Sequence, residues 1–142
     1  MMKLRVILSL LLIIALITTL QILINPLRRS SENIRENILR LTPMGTDIHD
    51  VIDVIKGRED WRVRYISFEG GFVRPGPPIP EWPVTETSAG HSVVGEQSIR
   101  VFIGSYRAWY KFFLATFADI FWGFDEDGKL IYVYVWKVVA GL

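Results

Sequence analysis

The chain has 142 residues, half of them hydrophobic, and its 16 basic and 15 acidic side chains give a formal net charge of +1. This length suits one folded domain, and the absence of a basic stripe excludes a nucleic-acid-binding protein. There is no cysteine, which excludes disulfides and a lipid-modified cysteine. The 5 Trp, 5 Tyr and 8 Phe all follow residue 60 and supply enough apolar area for one compact core.

The first predicted element is a membrane anchor. Residues 6–27 form a run of 22 residues without an ionisable side chain. About 20 apolar residues in a helix cross the roughly 30 Å hydrocarbon core of a bilayer. We therefore expect an anchor over 1–29, with a transmembrane signal-anchor helix at about 6–24 whose partner is the lipid bilayer.

A cleaved signal peptide is the alternative interpretation of this segment, because Lys3 and Arg5 form a basic start. The apolar run is longer than the roughly 7 to 15 residues of a signal-peptide core, and its end offers no small-x-small cleavage site. These two features favour an uncleaved anchor.

The orientation of the anchor rests on two rules that disagree. Four basic residues follow the apolar run and two precede it, which places the following domain in the cytoplasm. A first apolar segment behind a short basic start, however, normally acts as an export signal. We expect a single-pass protein of the cell membrane with its C-terminal domain extracytoplasmic, and the cytoplasmic orientation is the alternative.

Residues 30–142 are predicted to form one α+β domain, which begins with a short amphipathic helix. Ser30 and Ser31 precede Glu32, and three apolar residues follow at helical spacing. They are Ile34, Ile38 and Leu41. Pro43 ends this helix.

A second helix is predicted between Asp47 and Gly57. Asp47 is placed to cap the backbone N–H of Asp50, and Gly57 is placed to end the helix in the left-handed conformation. Its apolar face consists of Ile48, Val51, Ile52 and Ile55. Such a face packs against a core.

Four later segments carry strand signals. Period-two alternation or β-branched and aromatic content predicts strands at Trp61–Phe68, Ser98–Ile103 and Leu130–Trp136. The pattern of Lys111–Phe124 suits a helix or a strand, but the hairpin loop Phe124–Leu130 favours a strand at least near its end. The elements together predict an α+β fold: one N-terminal transmembrane helix, then two short helices packed on a three- to four-stranded antiparallel sheet.

A proline-rich loop is predicted over 73–97. Five of the seven prolines lie between Pro75 and Pro83, which predicts an extended, polyproline-like stretch and excludes a core strand. Residues 85–90 are expected to be mobile.

Trp82, with Pro78 and Pro80, is the candidate contact for a partner protein, because an aromatic side chain on a stiff backbone loses little entropy on binding. Packing of Trp82 back onto the sheet is the alternative.

Two motifs carry a family resemblance. One is the helix that starts at Gly45-Thr46-Asp47, and the other is the turn Phe124-Asp125-Glu126-Asp127-Gly128-Lys129-Leu130. They resemble the SmpA/OmlA family of small outer-membrane assembly lipoproteins and the related repeats of β-lactamase inhibitor protein, over Leu41–Trp136. The chain departs from that family in lacking the lipid-acceptor cysteine and in carrying the apolar helix and the proline-rich insertion. Membership would imply an extracytoplasmic protein-binding module with a helix-on-sheet fold and no catalytic activity.

Two acidic motifs have some features of metal sites. His49, Asp50 and Asp53 have partial helical spacing for ligands, but the same pattern is typical of a solvated helix face. Asp125-Glu126-Asp127-Gly128 is similar to the start of a calcium loop, but position twelve of that loop is Trp136 instead of glutamate. We therefore expect no metal and no cofactor.

Asp119 is the one acidic residue in an apolar stretch. Burial of a lone carboxylate is costly, so an ion pair with an arginine is expected. The candidate arginines are Arg62, Arg64, Arg100 and Arg107.

The leading functional hypothesis is a membrane-anchored extracytoplasmic protein-binding module without catalysis. Two alternatives remain open: a cell-envelope metal-dependent hydrolase that uses His49, Asp50 and Asp53, and a cytoplasm-facing regulatory subunit of a membrane complex.

Overall fold

A four-stranded antiparallel sheet with helices on one face organises the domain. The computed structural model describes residues 2–74, 84–86, 92–107 and 114–141. In chain order its elements are α1 Met2–Ile24, α2 Ser31–Leu41, α3 Ile48–Lys56, β1 Arg62–Ser67, β2 Phe72–Arg74, β3 Val84–Glu86, β4 Ser92–Val94, β5 Gln97–Tyr106, β6 Leu114–Phe124 and β7 Leu130–Gly141. The large sheet has the order β1-β5-β6-β7, so the α+β prediction of short helices on an antiparallel sheet is confirmed.

The N-terminal helix α1 is joined to α2 by a short 3₁₀ turn, Pro26–Arg28. Within the described part of the chain, no helix is both long enough and apolar enough to cross a membrane. The side chains of α1 are described from Val6 to Leu20 and at Ile24, so the predicted span of about 6–24 lies partly outside the described residues.

Both short helices form where their caps predict them. The hydroxyl of Ser30 accepts from the backbone N–H of Asn33 at 3.2 Å and starts α2. Asp47 starts α3, but its carboxylate accepts from the N–H of His49 at 3.0 Å and not from that of Asp50 as predicted. The prediction of a left-handed Gly57 is wrong: its φ is −71°, because the helix ends in a further right-handed turn that continues to the next residue.

The main core lies between the two short helices and one face of the large sheet. The helices contribute Ile34, Ile38, Ile48, Val51 and Ile55, and the sheet contributes Ile99, Val101, Ile103, Ala118, Ile120, Trp122, Phe124, Leu130, Val133 and Val135. Trp122 is fully buried, and its indole Nε1 donates to the hydroxyl of Thr42 at 3.1 Å. These apolar rows fix which face of each strand points to the helices.

The segment predicted as a proline-rich loop, 73–97, also contains strands. β2, β3 and β4 form a separate three-stranded sheet in the order β2-β4-β3, and Val94 is only 1% exposed. The expectation that no core strand lies here is therefore wrong. Thr85 and Glu86, at the start of the stretch expected to be mobile, pair with Val93 and Ser92 of β4. The prolines lie between β2 and β3, which leaves the β-branched stretches on either side free to pair.

The strand pairing settles the structure of one predicted segment and changes that of another. The ambiguous segment Lys111–Phe124 is a strand from Leu114 onward, paired with β7 as the hairpin signal predicted. In β1 the predicted strict alternation is interrupted by a bulge between Val63 and Tyr65. An extra residue in a strand turns the following side chains to the other face, so Tyr65 lies opposite Arg100.

The start of α3 is tied to the start of β7 by Asp47, which gives a pH-dependent contribution to stability. Its carboxylate accepts from the N–H of His49 and from Nζ of Lys129 at 3.2 Å. These two hydrogen bonds, the backbone one first, lower the pKa of Asp47 below its ordinary 3.8. A lowered folded-state pKa means that the stabilisation is complete above 3.8 and is lost as the pH falls further.

We expect Asp47→Asn, which keeps a capping side chain but removes the charge, to lower the urea midpoint at neutral pH. The difference from the wild type should shrink as the pH falls below 3.8, because the wild-type carboxylate then binds a proton. Unfolding of the full chain in detergent micelles, followed by tryptophan fluorescence, measures this. Asp127→Asn in the exposed β6–β7 turn is the matched control, and an equal pH trend in both variants would contradict the prediction.

Candidate functional site

The candidate site lies on the outer face, the face of the large sheet that points away from α2 and α3. Residues directly opposite each other in neighbouring strands share a face. Phe102 of β5 pairs with Asp119 of β6, and Asp119 pairs with Trp136 of β7. Arg100 belongs to the same face through its neighbour Phe121. The register thus brings an acid, an arginine and aromatic side chains into adjacent positions.

The three-stranded sheet covers one part of this outer face. Phe72 of β2 is only 1% exposed and packs against Phe121 with a ring-centre distance of 5.1 Å. Val94 and the aromatic side chains of β7 complete this second cluster. The part of the outer face around Asp119 remains open as a cleft of about 240 Å³. Its lining residues are Arg64, Arg100, Phe117, Asp119, Trp136 and Val138.

Asp119 forms the predicted ion pair with an arginine. One carboxylate oxygen, Oδ2, accepts from Nε and Nη2 of Arg100 at 3.1 and 2.5 Å. The guanidinium of Arg100 also lies over the rings of Phe121 and Trp136, at 5.0 and 5.4 Å from their centres. Contact with both rings and the carboxylate fixes the position of Arg100 in the cleft wall.

The second carboxylate oxygen of Asp119 is unsatisfied. Oδ1 is buried and has no hydrogen-bond partner among the described residues, and the Asp119 side chain as a whole is 10% exposed. Nε of Arg64 is 4.0 Å away, which is beyond hydrogen-bonding distance. Buried polar atoms normally have a partner, so Oδ1, whose nearest cation is Arg64 in a long ion pair, is an acceptor without a hydrogen bond beside the cleft.

Arg64 carries the same charge as Arg100 but makes fewer contacts. The bulge in β1 directs its guanidinium over the ring of Phe102, 5.0 Å from the ring centre. The Arg64 side chain is 53% exposed, against 30% for Arg100. Two guanidinium groups and one carboxylate leave the cleft with a net positive charge. The arrangement can therefore accept one hydrogen bond at Asp119 and donate several from Arg64 to a carbonyl or carboxylate.

The residues of the alternative metal-site hypothesis lie on α3, on the helical side of the sheet. His49, Asp50 and Asp53 are exposed or largely exposed there, and Asp53 forms an ion pair with Lys56 at 3.9 Å. Within the described residues, no group of three His, Asp or Glu side chains is arranged to hold a metal ion. In the other acidic motif, Asp125 accepts from the backbone N–H of Lys129 at 2.7 Å and stabilises the β6–β7 turn.

The predicted partner contacts Trp82, Pro78 and Pro80 lie outside the described residues, so their role stays a prediction. The structure instead brings together Arg64, Arg100 and Trp136 around Asp119. The sequence indicated the two arginines only as candidate ion-pair partners of Asp119, and it did not indicate Trp136 as a site residue. The one signal in the sequence was Asp119, an acid in an apolar stretch. The other members could be found only from the strand register and the β1 bulge.

Comparison with known proteins does not extend the functional assignment: no protein-family model, no curated protein and no solved structure matches the chain. The resemblance to the SmpA/OmlA family therefore stays a prediction.

Proposed function

We propose that the chain is a membrane-anchored binding module whose domain recognises a protein partner through the outer-face cleft, without catalysis. The observation that carries this proposal is Oδ1 of Asp119, which is buried in the cleft wall without a donor in the described residues. A buried acceptor without a partner costs about 1 to 3 kcal/mol. A partner that supplies an N–H or O–H group at this point would remove that cost.

The chemistry of the cleft supports a protein partner. Arginine and aromatic side chains are enriched at the centres of protein interfaces, where they supply contact area and directed hydrogen bonds. An extended peptide segment presents N–H and C=O groups in alternation. One N–H group can donate to Asp119 while a carbonyl or an acidic side chain accepts from Arg64. The net positive charge of the cleft favours a partner with acidic residues at the contact.

The exposed surface of α1 supports anchoring in a lipid bilayer. Its large apolar side chains are exposed all around the helix, from 42% at Ile14 to 72% at Ile24. A helix that is apolar on every side is stable only inside a protein core or a membrane. Burying about a dozen such side chains is worth on the order of 10 kcal/mol, which is as large as the total stability of a typical domain.

The side of the membrane and the family relationship are part of the same proposal. We place the domain on the extracytoplasmic side of the cell membrane, where the resemblance to SmpA/OmlA proteins also places a binding module. The two short helices on an antiparallel sheet are compatible with that resemblance. The cytoplasm-facing regulatory subunit is the alternative that topology mapping separates.

A single-cysteine experiment tests the sidedness and the cleft together, because the native chain has no cysteine. Val138→Cys places a thiol in the cleft lining, and Asp53→Cys places one on the exposed surface of α3. Intact cells are treated with a membrane-impermeant maleimide that carries a benzophenone, and are then irradiated. We expect both variants to be labelled from outside, and a discrete protein adduct from Val138→Cys that Asp53→Cys does not give.

Three results would contradict the proposal in separate ways. Labelling only after permeabilisation would place the domain in the cytoplasm. Identical adducts from both positions would remove the specificity of the cleft. An adduct from Val138→Cys that survives unchanged in an added Arg64→Ala background would show that the charged part of the cleft does not contribute.

A further inference from the structure

The connection between α1 and the domain is fixed by contacts from the large sheet. The side chain of Asn25 accepts from the N–H of Leu27 at 3.0 Å and stabilises the 3₁₀ turn that follows α1. Nζ of Lys137 donates to the carbonyl oxygen of Leu27 at 2.7 Å and also to that of Arg29. The end of β7 is thereby attached to the residues that leave α1.

The end of β5 is attached at the same place. Nη2 of Arg28 donates to the carbonyl oxygen of Arg107 at 2.6 Å. Leu27 packs directly over Gly104: a Cβ atom there would lie 2.8 Å from Cδ1 of Leu27, and the φ of +137° is one that residues with a side chain rarely adopt. Because residues 25–29 directly follow α1, the parts of the sheet that are bonded to them lie next to the exit of α1.

The sheet surface at this end combines positive charge with exposed apolar side chains. Its four cations are Arg28, Arg29, Arg107 and Lys137. None of the four forms an ion pair with an acidic side chain of the described residues. Leu114 and Val139 are 40% and 47% exposed, and strand parity places both on the Lys137 side of the sheet.

The aromatic ring of Tyr106 lies beneath two of these cations. Arg28 and Lys137 lie over it at 5.4 and 5.6 Å from the ring centre. Desolvation of the Lys137 ammonium by the surrounding chain lowers its pKa, as expected for a group held against the protein. Basic side chains around a tyrosine and aliphatic groups are typical of surfaces that meet lipid headgroups.

We propose that this linker end of the sheet, formed by Tyr106, Arg107, Leu114, Lys137 and Val139, lies on the bilayer and binds anionic lipid headgroups. Arg29 and Arg107, which are exposed, contact the phosphates, while Leu114 and Val139 reach the acyl boundary. The domain is then held in one orientation, with the β6–β7 turn farthest from the membrane. This inference rests on the anchoring of α1 proposed above.

Nitroxide labels on the full chain in vesicles test the orientation. Val139→Cys reports the linker end, and Asp127→Cys in the β6–β7 turn reports the opposite end of the sheet. In vesicles of phosphatidylcholine mixed with phosphatidylglycerol, we expect the label at 139 to collide with oxygen more than with a water-soluble nickel chelate. The label at 127 should collide with the nickel chelate more than with oxygen.

The lipid charge is tested by a matched pair of variants made in the Val139→Cys chain. Arg29→Gln/Arg107→Gln removes two charges at the linker end, and Arg40→Gln/Lys56→Gln removes two charges on the helices. We expect phosphatidylglycerol to immobilise the label at 139 in the Val139→Cys chain with no further change and in the Arg40→Gln/Lys56→Gln variant. In the Arg29→Gln/Arg107→Gln variant, phosphatidylglycerol should have at most half that effect.

Flotation of the vesicles separates the possible failures. If the protein floats with the vesicles but the labels at 139 and 127 are equally exposed to nickel, the orientation is wrong while the anchoring stands. If the label at 139 is at the interface but does not respond to phosphatidylglycerol, the headgroup binding is wrong. If the protein does not float, the anchoring proposal fails and this inference fails with it.

Discussion

Trp122→Ala is expected to lower the free energy of unfolding by about 3 to 5 kcal/mol. The indole of Trp122 is fully buried between the helices and the sheet, and its ring centre lies 6.1 Å from that of Trp61. Truncation leaves a cavity that the rigid sheet closes only in part. Since small domains have a total stability of about 5 to 15 kcal/mol, this one substitution removes a large share of it. Urea unfolding of the full chain in micelles, followed by circular dichroism, measures the loss.

Trp122→Phe separates the cavity from the hydrogen bond. It keeps most of the ring volume but removes the Nε1 donor to Thr42, whose own hydroxyl still donates to the carbonyl oxygen of Ile38 at 3.1 Å. We expect a loss of about 1 to 2 kcal/mol. Equal losses in the two variants would show that the hydrogen bond, and not the packing, dominates at this position.

The helical part of the domain could be predicted from the sequence because its signals are local. A cap, an apolar stripe and a terminating residue lie within a dozen positions, as in α3 between Asp47 and Gly57. The β6–β7 hairpin was predictable for the same reason, since the turn after Phe124 contains an acidic run and Gly128. The finer details of α3 could not be predicted in this way. Asp47 caps the N–H of His49 and not that of Asp50, and Gly57 is not left-handed.

The small sheet and the cleft could not be predicted because they depend on distant contacts. β2 and β4 are three residues long, which is too short for a periodic signal. They are stabilised by packing onto Phe121 of the large sheet. In the cleft, Asp119 was recognised as an acid that needs a partner, but selecting Arg100 from four arginines required the β5–β6 register.

The same dependence on register explains why the linker end of the sheet could not be predicted from the sequence. Lys137 lies within β7 after a run of aromatic residues, and its sequence context contains no indication that it contacts Leu27, 110 positions away. Gly104 has a φ of +137°, which favours glycine, and nothing in its sequence context indicates that Leu27 packs over it.

The ion pair in the cleft provides the second large effect, which is expected from Arg100→Met. This variant keeps an apolar side chain against Phe121 and Trp136 but removes the hydrogen-bonded partner of Asp119, whose side chain is 10% exposed. Removing one member of a buried pair costs about 3 to 5 kcal/mol, and partial exposure of Arg100 reduces this to about 2 to 4 kcal/mol. Urea midpoints of the full chain measure the loss.

The double variant Arg100→Met/Asp119→Val distinguishes a role of the ion pair in stability from a role in partner binding. Replacing both charges by apolar groups removes the desolvation cost together with the attraction, so we expect stability within about 1 kcal/mol of the wild type. The partner adduct from Val138→Cys should nevertheless disappear, because the acceptor at Asp119 is gone. A double variant as unstable as Arg100→Met would show instead that the pair serves the fold, and the cleft would then lose its strongest claim to be a binding site.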